Sequence, residues 1–145
     1  MRSVVLDSAI LVSAFLSEGG LSFQILQQGR VGKFRWWCAE EILQETRRVL
    51  LEEPRIRKKY HYTNEQVNDF LESIRALVSM APSLPHIPMI ERDPKDDKIV
   101  ACALHARAHY IVTRDKDLLD LKSYRGVRII TPEDFITLLR RARRG

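Results

Sequence analysis

Two aspartates stand where chemistry is expected. Asp7 closes the run Val4-Val5-Leu6, and Asp115 follows Tyr110-Ile111-Val112-Thr113-Arg114. Both runs are short, apolar and β-branched, so each reads as a buried strand that stops at a carboxylate. In an open parallel sheet, ligands and reacting groups collect just beyond the carboxyl ends of the strands. The two aspartates therefore predict an acidic cluster at one sheet edge, with Glu45 and Asp96 placed to join it. A cluster of oxygen ligands suits a hard divalent cation and phosphate chemistry.

Each acid also has a plainer reading. Asp7 or Ser8 can cap the helix that follows, and Asp115 can cap a short helix at Leu118-Leu119. An aspartate ending an apolar strand is nonetheless costly unless it is paired or ligating, and the repetition at two strand ends favours chemistry. On a helix turning ~100° per residue, Ile42, Leu43, Thr46, Val49 and Leu50 form one stripe. Glu45 lies on its flank, where it can reach over the sheet edge, although periodicity alone favours an ordinary salt-bridging glutamate there; Glu41 lies further round, toward solvent. Asp93-Pro94-Lys95-Asp96 reads as a cap, a first-turn proline and a first-turn acid. Thr131-Pro132-Glu133-Asp134 has the same grammar, so local context does not separate Asp96 from Asp134.

The elements that must position these groups alternate between strand and helix. Strands are read at Ser3 to Leu6, Phe34 to Trp37, Tyr110 to Thr113 and Val127 to Ile130. Helices run through Ile10, Leu11 and Phe15; through Leu21, Ile25 and Leu26 after the Gly19-Gly20 break; and from Ile42 to Leu50. The clearest helix opens at Thr63, which has capping-box spacing to Gln66, and carries Val67, Phe70, Leu71, Ile74, Leu77 and Val78 on one face. Pro82, Pro85 and Pro88 bound an extended piece. Further helices follow Asp93-Pro94 and Thr131-Pro132. This alternation predicts a three-layer α/β/α sandwich around a mainly parallel sheet.

Composition bounds the rest. The 145 residues make a single domain spanning 1–145, 45% hydrophobic and 30% charged, a globular balance. No apolar run reaches the ~18 residues of a membrane span. Asp7 interrupts the stretch from Arg2 to Leu16 that resembles a signal peptide, so a cytoplasmic location is expected. Cys38 and Cys102 lack zinc-type spacing and read as buried thiols. The net charge is +5, but Arg140, Arg141, Arg143 and Arg144 form a basic tail, and +5 − 4 leaves +1. Arg55, Arg57, Lys58 and Lys59 form a second basic cluster. Either cluster can hold a polyanion or be a solvated helix end. His105 and His109 have the four-residue spacing of two zinc ligands on a helix, but no third ligand lies nearby. Trp36 and Trp37 can stack on bases, although a strand near the core is the expected home of at least one.

These segments together resemble the PIN-domain ribonucleases, in particular the branch of VapC-type toxins of toxin–antitoxin pairs. The resemblance rests on Val5 to Ala14, Glu41 to Glu45 with Val49-Leu50, Arg92 to Asp97 with Ile99 and Ala101, Val112 to Leu119, and Ile129 to Pro132 with Phe135. Carried over, the family's acidic site maps to Asp7, Glu45, Asp96 and Asp115 as catalytic and metal-binding residues. Ser8, Thr113, Asp97 and Asp117 are accessory candidates. The resemblance implies Mg²⁺ or Mn²⁺, an RNA substrate, a homodimer and a small antitoxin partner. Arg114, Arg140, Arg141, Arg143 and Arg144 are candidate RNA contacts. The family usually carries Asp-Thr-Asn where this chain has Asp7-Ser8-Ala9. Serine keeps the hydroxyl, but Ala9 cannot supply an amide's hydrogen bonds. That departure sets up the alternative, a PIN-type scaffold that binds RNA or a partner protein without cutting. A haloacid-dehalogenase-type phosphotransferase needs an aspartate at the position of Ala9. A response-regulator receiver needs an early acid pair and a late lysine that the chain lacks.

Overall fold

The computed structural model describes the backbone of residues 1–82 and 94–144 and the side chains of residues 1–82 and 98–142. Strand β1 (Ser3–Leu6) is buried at every position, as a strand covered on both faces must be. It lies inside a six-stranded sheet of order β3-β2-β1-β4-β6-β5. The other strands are β2 (Arg35–Ala39), β3 (Ser79–Ala81), β4 (Tyr110–Val112), β5 (Ser123–Tyr124) and β6 (Val127–Ile130). All neighbouring pairs are parallel except β5 with β6. The helices are α1 (Ser8–Leu16), α2 (Leu21–Arg30), α3 (Glu40–Glu52), α4 (Pro54–Lys59), α5 (Asn64–Arg75), α6 (Pro94–Ala106), α7 (Lys116–Leu121) and α8 (Pro132–Arg144). The architecture is the expected α/β/α sandwich.

The connections decide where a site can form. From β1 the chain moves outward through β2 to β3, then returns to place β4 on the other side of β1. The strand order therefore reverses between β1 and β4. The crevice beyond their carboxyl ends is the topological switch point, where open α/β sheets bind ligands.

Packing holds the helices at fixed angles to that crevice. Phe135, fully buried, meets Phe34 edge-on at 5.1 Å and fastens α8 to the sheet. Phe15 meets Tyr62 and Phe70, each at 5.1 Å, and ties α1 to α5 and the turn before it. Burial of each such side chain stabilises by about 1.5–3 kcal/mol. Gly29 of α2 sits where an added Cβ would lie 2.9 Å from Phe34 and 3.0 Å from Trp36, so only glycine permits α2 to approach the sheet this closely.

Several elements differ from the sequence reading. The helical face assigned through Val78 ends early, because α5 stops at Arg75 and the chain extends into β3, pairing Ser79 with Trp37. A three-residue strand is too short to show alternation. Helix α4 and strand β5 are likewise unannounced, whereas the Thr63–Gln66 capping box is present. His105 and His109 do not share a helix. Helix α6 ends at Ala106, and Arg107 adopts φ 49, which turns the chain into β4. His105 packs edge-on against Trp37, whereas the His109 Nδ1 accepts from the Ser3 amide at 3.0 Å. Trp36 is buried and Trp37 half-buried. Both cysteines are buried; burial pushes the Cys38 thiol up to about 12 and raises that of Cys102, so neither supplies a thiolate at neutral pH. No single helix among the described residues is long and apolar enough to cross a membrane.

Candidate active site

The ladders of β1 and β4 run one residue past the strands. The Asp7 amide donates to Val112 O, and the Thr113 amide to Ile130 O, both at 3.0 Å. This places the side chains of Asp7 and Thr113 together at the switch point. Thr113 Oγ1 donates to Asp7 Oδ2 at 2.6 Å and accepts from the Asp115 amide at 3.0 Å. One fully buried hydroxyl thus couples the two strand-end aspartates, with Asp7 only 7% exposed. Ser8 Oγ adds a longer hydrogen bond to Asp7 Oδ1, 3.3 Å.

The two aspartates resolve their plainer readings differently. Asp7 holds the cap position of α1, but its carboxylate makes no capping hydrogen bond. Burial raises its pKa above the ordinary value, opposed by the hydroxyls of Thr113 and Ser8 and by the nearby Ala9 and Ser8 amides. Among the described residues no cation pairs with it. Asp115 does cap α7, accepting from the Asp117 amide at 2.8 Å, and the fully buried Leu118 anchors that helix. Its side chain also reaches the same cleft as Asp7.

That cleft has a volume of about 610 Å³. Its polar wall includes Asp7, Ser8, Glu45, Tyr60, Arg114 and Asp115, and Val12, Leu16 and Val49 form the apolar side. Glu45 extends from the flank of the α3 stripe and accepts a two-pronged hydrogen bond from Arg48 at 2.6 and 3.1 Å, the salt bridge that periodicity alone favours, while it also lines the cleft. Ala9 is exposed on the cleft wall. Arg114, on the rim, makes a bidentate pair with Glu133 at 3.0 and 2.7 Å, and this partner holds the Glu133 carboxyl below its ordinary pKa. Glu41 is half-buried rather than turned to solvent. It lines a small adjoining hollow with Ser8, Ile42, Glu45 and Lys98, between α3 and α6.

The fold therefore brings Asp7, Glu45 and Asp115 to one cleft, with Ser8, Thr113 and Arg114 beside them. The side chains of Asp96 and Asp97, in the first turn of α6, lie outside the described residues, as do those of Arg143 and Arg144. Arg140 is exposed on α8 and lines a different hollow, between α2 and α8. Sequence reasoning missed Tyr60 and Glu133. Tyr60 follows the unannounced α4, and Glu133 looks like any first-turn acid; neither carries a local signal. Among the described residues no three His, Cys, Asp or Glu side chains form a ready metal cage. The donors that the cleft does hold are carboxylate and hydroxyl oxygens. These and the uncompensated charge of Asp7 fit a hard divalent cation.

The PIN-domain family model matches residues 3–117. Comparison with curated proteins finds no match. Among solved structures, a chain in the crystal structure of VapBC2 from Rickettsia felis, bound to a DNA fragment from their promoter, superimposes with a TM-score of 0.58. The match covers 89% of this chain and 98% of that one at 12% sequence identity, a likeness of fold.

Proposed function

Because this chain belongs to the PIN-domain family, whose members are generally nucleases, we propose that it is a Mg²⁺- or Mn²⁺-dependent endoribonuclease. The observation that carries the reading is Asp7, a buried carboxylate with no cation partner among the described residues, set at the switch point and coupled through Thr113 to Asp115. Asp7 and Asp115 would hold the ion, with Glu45 and Asp96 completing the set that the family resemblance assigns. When bound, such an ion polarises an attacking water and offsets the charge on the leaving oxygen.

The chain's own residues do the remaining work. Thr113 fixes the Asp7 rotamer and keeps one oxygen occupied, so that the other faces a defined direction. Ser8 restrains that second oxygen weakly. Asp97 and Asp117 are accessory acids near the same helix starts. Arg114, exposed and exchangeable from Glu133, offers a planar fork to a substrate phosphate. The apolar wall of Val12, Leu16 and Val49 lowers the local dielectric and strengthens these contacts.

We read the chain as the toxin of a toxin–antitoxin pair, acting in the cytoplasm as a homodimer and restrained by a small antitoxin. The fold likeness to a component of VapBC2 supports this role. A second reading, a PIN-type scaffold that binds RNA or a partner protein without cutting, is favoured by Ala9, which leaves the cleft wall without an amide. The deciding assay is cleavage of single-stranded RNA with and without EDTA by wild type, Asp7→Asn and Asp115→Asn. Cleavage unaffected by both substitutions would sink the nuclease reading. Manganese binding lost in Asp7→Asn without any wild-type cleavage would support the scaffold.

A further inference from the structure

The opposite edge of the sheet has a different chemistry. All strands but β5 run parallel, so their amino ends share one edge. Arg2 precedes β1, Lys33 precedes β2 and Arg35 opens it, His109 precedes β4 and Arg128 lies at the start of β6. The register sets Arg35 beside Ser3 and Arg128 one residue further in, level with Tyr110 and Val4, so Arg128 shares a face with Arg2 and Arg35 turns to the other face. Across β2, β1, β4 and β6 the row spans three strand spacings, roughly 14 Å at ~4.8 Å each.

A hollow of about 620 Å³ opens along this row, lined by Met1, Arg2, Gln28, Lys33, His109 and Leu139, with Ala142. Among the described residues, none that lines it is acidic. One donor in it and one beside it are held in place. Ser3 N–H donates to His109 Nδ1 at 3.0 Å, so the neutral ring carries its proton on Nε2, as a donor. The Arg128 guanidinium lies over the Tyr110 ring, 5.9 Å from its centroid, beside this row. Leu139 and Ala142 bring the last turns of α8 to the same hollow.

We infer that this amino-end edge is a second nucleic-acid site, which takes the phosphate backbone of single-stranded RNA. The row is too long for one small anion, and its continuity suits a linear polyanion. Arginine forks, an imidazole N–H and the Gln28 amide offer neutral as well as charged donors, matching the several acceptor oxygens of each phosphodiester. The site rests on the geometry of this edge and is independent of cleavage at the other.

The test is anisotropy of a labelled single-stranded oligouridylate titrated with wild-type protein in EDTA, so that cutting does not interfere. Arg2→Gln/Lys33→Gln/Arg128→Gln should weaken binding at least about tenfold at low salt and flatten the salt slope by about 2, the share of three phosphate contacts. Lys33→Gln alone, at an exposed turn, should give a smaller loss in the same direction without a folding risk. Arg55→Gln/Lys58→Gln/Lys59→Gln on α4 should bind as wild type. Unchanged affinity and slope in the edge variants would overturn the inference, as would a loss confined to the α4 variant. An oligoglutamate peptide competing as well as unlabelled RNA would overturn it in favour of an acidic protein partner.

Discussion

The two ends of the parallel sheet carry opposite charges in opposite states of hydration. At the carboxyl end, Asp7 is almost wholly buried and locked to Thr113. At the amino end, Lys33, Arg35 and Arg128 are exposed. Desolvation concentrates the field of a single carboxylate and gives it a fixed direction, which reacting groups need. Exposed cations retain their water and act by number and spacing, which is enough to hold a polyanion but not to activate a bond. Strand direction separates the two chemistries, because every parallel strand delivers its last residue to one edge and its first to the other.

Substitutions should separate the ends. The largest effect is expected from Asp7→Asn, which should lower metal-dependent RNA cleavage roughly 10³-fold while leaving RNA affinity in EDTA unchanged. A parallel loss of affinity would mean that the two ends are one site. Thr113→Val removes the shared hydroxyl without changing shape and should cost roughly 10- to 100-fold in activity and metal affinity. Thr113→Ser should restore most of both. Metal titration alongside single-turnover cleavage checks this, and an indifferent Thr113→Val would show that backbone alone positions Asp7. At the amino end, the edge variants should move RNA affinity and its salt slope but not manganese binding at the carboxyl end.

A smaller change is expected from Ala9→Asn, whose amide has open space on the cleft wall. Cleavage should rise a few-fold, and no gain would show that Ser8 and the acids already complete the cleft. The smallest is a stability effect. Burial raises the Asp7 pKa, so just above the ordinary aspartate value the folded chain keeps a proton that the unfolded chain has released. Stability then falls as pH rises through that window. Without metal, Asp7→Asn should melt above wild type at neutral pH and converge with it in acid. Thermal melts in EDTA check the sign. A variant melting below wild type at neutral pH would show that the hydroxyl bonds to the carboxylate outweigh its desolvation.

Much of the fold is legible in the chain because its signals are local. Val4 to Leu6 and Tyr110 to Val112 are apolar enough to be strands in any parallel sheet, and Thr63 and Gln66 write their own cap. Asp7 and Asp115 were visible for the same reason, as carboxylates that interrupt apolar runs. Glu45 was ambiguous, because a flank position on α3 specifies an angle but not what lies opposite. Helix α5 was overrun and β3 missed because the apolar period continues past the last helical residue.

Sequence by itself determined the layer architecture, the strand-end aspartates and the family, since hydropathy period and residue order are properties of neighbours along the chain. Only the tertiary structure decided that Thr113 joins Asp7 to Asp115, that Glu133 holds Arg114, and that Tyr60 reaches the cleft. It also decided where the positive charge gathers. Counting along the chain puts the excess in the tail, whereas folding collects Arg2, Lys33 and Arg128 at one edge. Those residues are far apart in sequence and leave no local pattern. The common direction and register of hydrogen-bonded strands bring them together.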